Sequence, residues 1–201
     1  MEKRRHLVER LYRHPEPSEQ NLVAYYKLWA GLTGATTVFD YTLNGLVGTV
    51  TGTDCEPAYE GFSFNGTDDK IDVGTGPASV KSLTIWMKVA DIDGNEYPID
   101  LNGTDYLSIV SGAVTVNGFT GEILYVDAEV ATSGVTAIAA DTFAFIVITA
   151  TTAANADNFD IGAGGQAWFE GKIGEVRLYS SVLTVPEIKS IYELTKWRYQ
   201  P

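Results

Sequence analysis

The chain has 201 residues, of which 45% are hydrophobic and 20% are charged. This length suits one well-buried core with an appendage rather than two domains. No stretch reaches the roughly 18 apolar residues that a membrane-spanning helix needs, so we predict a protein that is not inserted in a membrane. Cys55 is the only cysteine and cannot form an internal disulfide, so the fold must be stabilised by packing.

The formal net charge of -12 is unevenly distributed along the chain. Residues 1–14 hold five of the 14 Lys and Arg residues but only two of the 26 Asp and Glu residues, which leaves the remainder strongly acidic. An acidic body repels phosphate backbones. We therefore predict that the protein does not bind nucleic acid.

Residues 3–13 have the pattern of a short amphipathic helix. Leu7 lies four residues before Leu11, the intervening positions are largely charged, and Pro15 stops the pattern. No apolar run follows the basic start, so no signal peptide is predicted. We predict that residues 1–20 form a basic arm that anchors the protein to a partner. The side chains expected to make this contact are Lys3, Arg4, Arg5, Leu7, Leu11 and Tyr12.

From residue 21 to about residue 183 the hydrophobic pattern changes to a period of two. It is clearest where Leu83, Ile85 and Met87 alternate with other residue types, including Trp86. About a dozen short segments with this character, separated by turn residues, predict a β-sandwich or barrel. The other predicted strands are 22–29, 61–65, 69–73, 97–101, 105–110, 113–117, 122–130, 134–139, 142–150, 158–162 and 173–180.

The turn and cap residues support an antiparallel sheet followed by a helix. Asn-Gly pairs, such as those at 44–45 and 65–66, supply the positive φ that tight hairpin turns require. After the last strand, Thr184 and Glu187 have the spacing of a capping box, and Ile188 begins an apolar face. We predict that residues 21–201 form one domain whose C-terminal helix covers a sheet or one of its edges.

Three stretches resemble the concanavalin A-like lectin/glucanase superfamily, in particular its laminin-G-like jelly rolls. They are LVAYYKLW followed by VFDYTLNGLVGTVTG, then GFSFNGTDDKIDVG leading into SLTIWMKV, and finally NFDIGAGGQAWFEGKIGEVRLYSSVLTVPEIKSIYE. The resemblance covers roughly residues 21–197. It implies an all-β fold, a two-sheet antiparallel jelly-roll sandwich with a short N-terminal helical arm and a C-terminal helix.

Some of the same segments are also similar to modules of tailed-phage virion proteins. They are ADNFDIG, WFEGKIGEV and IYELTKWRY. This resemblance implies a virion-associated structural, decoration or adhesion protein, assembled in the host cytoplasm and located on the virion. Its partners would be other virion proteins or copies of itself. The alternative is a lectin-like module that binds a cell-surface glycan.

Asp68 and Asp69 are the candidate metal ligands. A calcium ion takes carboxylate and carbonyl oxygens from loops, and several relatives of the superfamily bind calcium at loop edges. Calcium needs about six to eight oxygens, and one adjacent pair does not show where the others come from. The alternative interpretation is a solvated acidic turn with no bound cofactor.

A sugar site without catalysis needs an exposed aromatic ring beside hydrogen-bonding groups. Trp86 is the first candidate because it alternates out of the apolar set and lies on the opposite sheet face. Trp168, beside a Gly-Gly turn, is the second. Burial of these rings in the sandwich or under the helix is the alternative. The aromatic residues available for such a site are Trp29, Trp86, Trp168, Tyr106 and Tyr125.

The predicted domain lacks the residues that common catalytic motifs require. The two histidines, His6 and His14, both lie in the arm, so the domain can assemble neither a Ser-His-Asp triad nor a Cys-His pair. The nearest match to a glucanase carboxylate motif is Asp127-Ala128-Glu129, which lacks the third carboxylate. We predict no catalytic residues and a protein that is not an enzyme.

Overall fold

The computed structural model describes residues 19–29, 36–52, 57–165 and 167–200. This part of the chain forms an all-β sandwich of two large antiparallel sheets with one C-terminal helix, α1, Val185–Tyr199, which confirms the predicted fold class. No helix among the described residues is long and apolar enough to cross a membrane. The predicted helical arm and Cys55 lie outside the described residues.

The strands are β1 Leu22–Lys27, β2 Thr37–Val38, β3 Gly48–Thr51, β4 Pro57–Ala58, β5 Gly61–Asn65, β6 Lys70–Gly74, β7 Val80–Val89, β8 Asn95–Asp100, β9 Tyr106–Val110, β10 Ala113–Asn117, β11 Ile123–Val126, β12 Glu129–Ala131, β13 Ala144–Ala154, β14 Phe159–Ile161, β15 Ala163–Gly164, β16 Ala167–Trp168 and β17 Glu170–Tyr179.

The eight-stranded sheet has the order β12-β11-β13-β7-β17-β5-β4, and β1 also pairs with β17. Strand β7 occupies one edge of β17 along most of its length, so β5 and β1 share the other edge. In this register Tyr25 lies opposite Arg177, and Lys27 lies opposite Glu175. Opposed residues on paired strands face the same side of a sheet. The chain therefore brings its first and last strands together and aligns four polar side chains on one face.

The seven-stranded sheet has the order β10-β9-β8-β14-β6-β3-β2 and forms the other layer. Alternate residues of both sheets fill the space between the layers, as the period-two pattern predicts. Ile85, Ile109 and Ile161 are fully buried there. Each such side chain contributes about 1.5–3 kcal/mol when it is removed from water. This layer of apolar side chains is the main core of the domain.

A second apolar cluster lies on the outer face of the eight-stranded sheet, beneath α1. Trp86 and Phe145 are fully buried there, and their ring centroids are 5.1 Å apart. The helix contributes Ile188 and Tyr199 to this cluster. At the start of the helix, the Glu187 carboxylate accepts a hydrogen bond of 2.7 Å from Thr184 N, as the predicted capping box requires. The helix therefore covers part of the sheet, as predicted.

Two predicted strands differ in the structure. Segment 122–130 is divided into β11 and β12, because Asp127 and Ala128 adopt positive φ values of 50° and 65° and form a turn. Segment 134–139 belongs to a turn in which Thr136 N donates to Thr132 O at 2.9 Å. Its only strand-like pairing is an isolated bridge between Ala137 and Ala113. Strands not predicted from the pattern are β2, β3, β4, β15 and β16, all of four residues or fewer.

Gly174 provides the close approach that the end of α1 requires. A Cβ atom on Gly174 would lie 2.6 Å from Cζ of Tyr199, and real Cβ atoms do not come so near to another heavy atom. We expect Gly174→Ala to displace Tyr199 from Trp86 and to lower the free energy of unfolding by about 1–3 kcal/mol, as overpacking does. Chemical denaturation followed by tryptophan fluorescence measures this loss. Gly165→Ala is the control, because its Cβ would meet nothing within 4 Å, and equal stability of both variants would contradict this account.

Glu96 links the two sheets at one end of the sandwich. Its side chain is 9% exposed, and its Oε2 accepts a hydrogen bond of 2.6 Å from the backbone N of Glu170 on β17. Burial raises the pKa of the Glu96 carboxyl above its ordinary value and outweighs the lowering effect of the hydrogen bond from Glu170 N. Ionisation of Glu96 therefore costs stability in the folded state.

A carboxyl whose pKa is raised on folding stabilises the protein fully below its unfolded pKa, about 4.3 for Glu, and loses that contribution as the pH rises through the folded pKa. Glu96→Gln keeps an acceptor oxygen for Glu170 N and removes the ionisation. We expect the variant to gain stability relative to the wild type between pH 4 and neutral pH. Urea unfolding as a function of pH measures the difference. Exposed Glu122→Gln is the control, and an advantage of Glu96→Gln that is greatest at acid pH would contradict the assignment.

Candidate ligand-binding sites

The structure corrects the choice of Trp86 as a sugar-binding platform. Trp86 does lie on the outer face of the eight-stranded sheet, but it is fully buried under α1. Its ring is stacked against Tyr199 and Tyr192, with centroid distances of 4.7 and 5.7 Å, and its Nε1 donates to Thr195 Oγ1 at 2.8 Å. Both the ring and its N–H are therefore occupied by the helix. Trp86 is therefore a core residue buried under the helix, which was the alternative interpretation of its position.

Trp168 is half-buried on the two-residue strand β16, where it pairs with Ala163 of β15. The short β15–β16 ribbon packs beside β8, and a Cβ on Gly164 would lie 3.2 Å from the Tyr97 ring. No ring stacking of Trp168 with another described aromatic residue is seen. Its role in sugar binding stays a prediction.

Asp68 and Asp69 take part in the turn that connects β5 with β6. Asp69 is fully buried, and its Oδ2 accepts a hydrogen bond of 3.0 Å from Asn65 N. Asp68 Oδ1 accepts one of 2.8 Å from Asn65 Nδ2, and Asn65 Oδ1 accepts from Thr67 N at 2.9 Å. Among the described residues no group of three or more potential metal ligands gathers. Calcium binding here stays a prediction, and the contacts explain the acidic pair as a turn.

The Asp127-Ala128-Glu129 segment lies at the turn between β11 and β12. Asp127 Oδ1 accepts hydrogen bonds from Phe145 N at 3.0 Å and from Gln200 Nε2 at 3.3 Å, so it ties the turn to β13 and to the end of α1. Glu129 is exposed and lies 3.5 Å from Lys189 Nζ. The partner-anchoring residues of the arm lie outside the described part of the chain. They are Lys3, Arg4, Arg5, Leu7, Leu11 and Tyr12.

A cavity of about 260 Å³ opens on the outer face of the eight-stranded sheet, between β1, β17 and α1. The helix covers the apolar half of this face around Trp86, and the polar half formed by β1 and β17 lines the cavity. We call this cavity the Trp29 pocket. The residues that define it are Tyr25, Lys27, Trp29, Arg177, Trp197 and Arg198.

A buried ion pair forms the floor of the Trp29 pocket. Arg177 Nη2 lies 2.9 Å from Glu175 Oε1 and donates to the Tyr25 hydroxyl at 3.0 Å, while that hydroxyl donates to Glu175 Oε2 at 3.2 Å. Burial by itself lowers the pKa of Arg177, but the charge of Glu175 together with the contributions of Tyr25 and Tyr179 outweighs burial, and the net shift is upward. Burial, followed by the Glu175 charge, raises the pKa of Tyr25. Arg177 is therefore cationic and Tyr25 is a neutral phenol at physiological pH.

Aromatic rings surround the guanidinium of Arg198 at the rim of the pocket. Its Cζ lies 3.6 Å from the Trp29 ring centroid, 4.8 Å from that of Trp197 and 5.2 Å from that of Tyr59. Cations are attracted to the faces of such rings, most strongly to tryptophan. Trp197 is 60% exposed, so one aromatic surface remains open to solvent. The rim thus combines an accessible indole with a cation held in place by stacking.

Four buried polar atoms at the pocket have no hydrogen-bond partner among the described residues. Glu175 Oε1 is an acceptor and takes part in the ion pair with Arg177, and the other three can donate: Nε1 of Trp29, Nε of Arg177 and the hydroxyl of Tyr199. Buried donors are normally satisfied, and a group left without a partner loses the free energy of its hydrogen bonds to water. These donors are therefore available to oxygen atoms of a bound molecule.

A second surface with aromatic residues lies on the seven-stranded sheet. The rings of Tyr97 and Tyr106 are 5.7 Å apart, and both residues are half-buried. On neighbouring strands of the same sheet Lys70 Nζ lies 3.0 Å from Asp160 Oδ1 and 3.4 Å from Asp72 Oδ2. Here the cation, Lys70, is paired with two aspartates. Aromatic rings on this surface can be removed without touching the Trp29 pocket, so it is suited to control variants.

Trp29 is one of the aromatic residues that the sequence offers for a sugar site, but its pattern does not single it out, and no sequence signal points to Arg177, Trp197 or Arg198 as parts of such a site. The alternation within β17 places Arg177 and Glu175 on one face, which is visible in the sequence. The pairing of β1 with β17, some 150 residues apart, is not visible there. Only that pairing brings Trp29 close to the end of α1.

The fold is a two-sheet antiparallel jelly-roll sandwich. No family model and no curated protein matches the chain. Among solved structures, a mutant Trypanosoma rangeli sialidase displaying trans-sialidase activity is similar with a TM-score of 0.62 and 13% identity, over 98% of this chain and 36% of that one. Domain 4 of AbnA, a GH43 extracellular arabinanase from Geobacillus stearothermophilus in complex with arabinotriose, gives 0.57 and 16%, over 86% and 98%.

The receptor binding domain of a botulinum neurotoxin C/D mosaic serotype is also similar, with a TM-score of 0.52 and 12% identity, over 88% of this chain and 52% of that one. This chain thus spans about a third of the length of the sialidase and about half of that of the toxin domain. At such low identity these similarities concern the fold alone.

The comparisons correct the prediction that the protein is not an enzyme. The similar structures include a sialidase and a domain of an arabinanase, so this sandwich occurs within enzymes that act on sugars. The prediction had rested on missing catalytic motifs, and such motifs are specific to particular families. The comparisons show no relation to phage proteins.

Proposed function

We propose that this protein is a carbohydrate-binding domain of lectin-like type and that the Trp29 pocket holds the sugar. The observation that carries the proposal is the combination of the exposed Trp197 ring with buried hydrogen-bond donors in one open cavity. Sugars present C–H faces that pack on aromatic rings, and hydroxyl groups that need hydrogen-bond partners. Such cavities, largely preformed and with a few placed polar groups, are typical ligand sites.

The similar structures support this proposal by analogy. The arabinanase domain is in complex with arabinotriose, and the toxin domain binds a receptor. The sequence resemblance to laminin-G-like members of the concanavalin A-like superfamily points in the same direction. A cell-surface glycan is the ligand that we propose, and repeated copies on a surface would turn weak single contacts into firm attachment.

A glycan array with the wild-type protein and a Trp29→Ala variant tests the proposal. We expect the wild type to bind a defined set of glycans, and the variant to bind them at least about tenfold more weakly, because it removes the buried Nε1 donor and the ring that stacks on Arg198. Tyr97→Ala is the matched control, because it removes an aromatic ring from the other sheet. Circular dichroism verifies that both variants are folded. Binding lost in Tyr97→Ala but kept in Trp29→Ala would contradict the assigned site.

A second candidate function is display on a virion, with residues 1–20 as the anchor. It is favoured by the separation of a basic N-terminal segment from an acidic body and by the segments similar to tailed-phage modules. The partners would be other virion proteins or copies of this chain. Opposite charges on partner surfaces guide and orient such assembly.

Deletion of residues 1–17 tests this second candidate. We expect the truncated protein to fold but to be lost from purified particles, because the deleted segment concentrates five of the 14 Lys and Arg residues and includes the apolar pair Leu7 and Leu11. Immunoblots of particles and circular dichroism of the truncated protein measure the two effects. Retention on particles would contradict the anchoring role.

A further inference from the structure

We propose that the Trp29 pocket selects sugars that carry a carboxylate, such as uronic acids. This inference rests on the proposed function, in which the pocket binds a sugar, and it adds the chemical class of that sugar. It follows from three features: the positive charge of the pocket, the stacking of Arg198 on aromatic rings, and the buried donors of Arg177 and Tyr199 on the pocket floor.

The local charge of the pocket is opposite to that of the protein. The chain has a formal net charge of -12, yet three cationic side chains, Lys27, Arg177 and Arg198, line this one cavity. Of the acidic residues that line it, Glu175 is already paired with Arg177 at 2.9 Å, and Glu19 is the other. A cavity lined by an excess of one charge concentrates ligands of the opposite charge.

Arg198 is the cation best placed to read a carboxylate. Among the described residues no carboxylate oxygen lies within 4.0 Å of its guanidinium, and its one hydrogen bond there is a long one of 3.5 Å from Nη1 to Tyr59 O. The aromatic rings contact the guanidinium face, which leaves the N–H groups at its edge for a ligand. The fork of a guanidinium matches the two oxygens of a carboxylate.

The stacking on Trp29 and Trp197 also fixes Arg198 before a ligand arrives. A free arginine side chain loses considerable rotational freedom when it is immobilised on binding. At 3.6 Å from the Trp29 centroid the guanidinium is already restrained. Less conformational entropy is therefore lost when a carboxylate binds, so the site is built for this contact rather than for a chance ion pair.

Independent support comes from the pocket floor. Arg177 is 9% exposed and Tyr199 is 6% exposed, and both line the cavity. The Tyr199 hydroxyl has no partner among the described residues, and Arg177 Nε makes no well-aligned hydrogen bond there, although the guanidinium interacts with Tyr179. Both groups can donate a hydrogen bond. A neutral sugar hydroxyl can accept such a bond, but it carries no negative charge to match that of the guanidinium. Anionic oxygen is the acceptor that a buried guanidinium prefers.

Matched sugar pairs test the selection directly. Methyl glucuronide is compared with methyl glucoside, and methyl galacturonide with methyl galactoside, by NMR titration of the full chain. We expect the acidic member of at least one pair to bind about tenfold or more tightly than its neutral partner, because a hydrogen bond to a charged group is worth about that factor. Added salt should lower the affinity for the acidic sugar and leave the affinity for the neutral sugar unchanged.

Arg198→Gln should reduce the affinity for the acidic sugar to that for its neutral partner. Lys189→Gln is the matched control, since it removes one positive charge from an exposed position of the same helix and lies outside the pocket. It should leave both affinities unchanged. If Arg198→Gln is unfolded, Arg198→Lys keeps the charge without the planar fork and is expected to lose most of the discrimination.

The outcomes separate this inference from the proposed function. Equal binding of acidic and neutral sugars in the pocket would overturn the inference and leave sugar binding intact. Failure of all four sugars, together with an empty glycan array, would overturn both. Tighter binding of a short acidic peptide than of either uronide would also overturn it, because the carboxylate would then be read without the sugar ring.

Discussion

The packing of α1 on Trp86 is the contact on which the rest of the architecture depends. Trp86 is fully buried between the sheet and the rings of Tyr192 and Tyr199, and its N–H is satisfied by Thr195. This contact fixes where the helix ends. Because it ends beside β1 and β17, its last turn places Trp197 and Arg198 over the polar half of the sheet. The pocket therefore exists only while the helix is docked.

The two halves of this outer face have different chemistry because of strand pairing. Toward β13, Phe145 and Trp86 lie side by side and are buried by the helix. Toward β1, Arg177 is aligned with Tyr25. The ion pair of Arg177 with Glu175 and the hydrogen bond from Tyr25 to Glu175 compensate part of the cost of burying charge. A fully apolar face would be covered completely by the helix, whereas this one leaves a charged, aromatic cavity exposed.

The sequence predicted the fold better than the site, and the reason is the range of the interactions. Alternation around residues 83–89 predicted the strand and the outer position of Trp86, and the Thr184 cap predicted the helix, because both signals are local. What covers Trp86 depends on contacts with residues about 100 positions later. The pocket depends on β1 meeting β17, which no local pattern encodes. The turn at Asp127 was also missed, because positive φ at a non-glycine residue has little signature in sequence.

The indole N–H resonances of the four tryptophans offer the most direct measurement of the central claim. The four tryptophans lie in three environments: Trp86 under the helix, Trp168 on the β15–β16 ribbon, and Trp29 and Trp197 at the pocket. When a glycan that binds the protein is titrated, the signals of Trp29 and Trp197 should shift while those of Trp86 and Trp168 stay in place. A shift confined to Trp168, or a shift of Trp86 that reports an undocked helix, would contradict the assignment of the pocket.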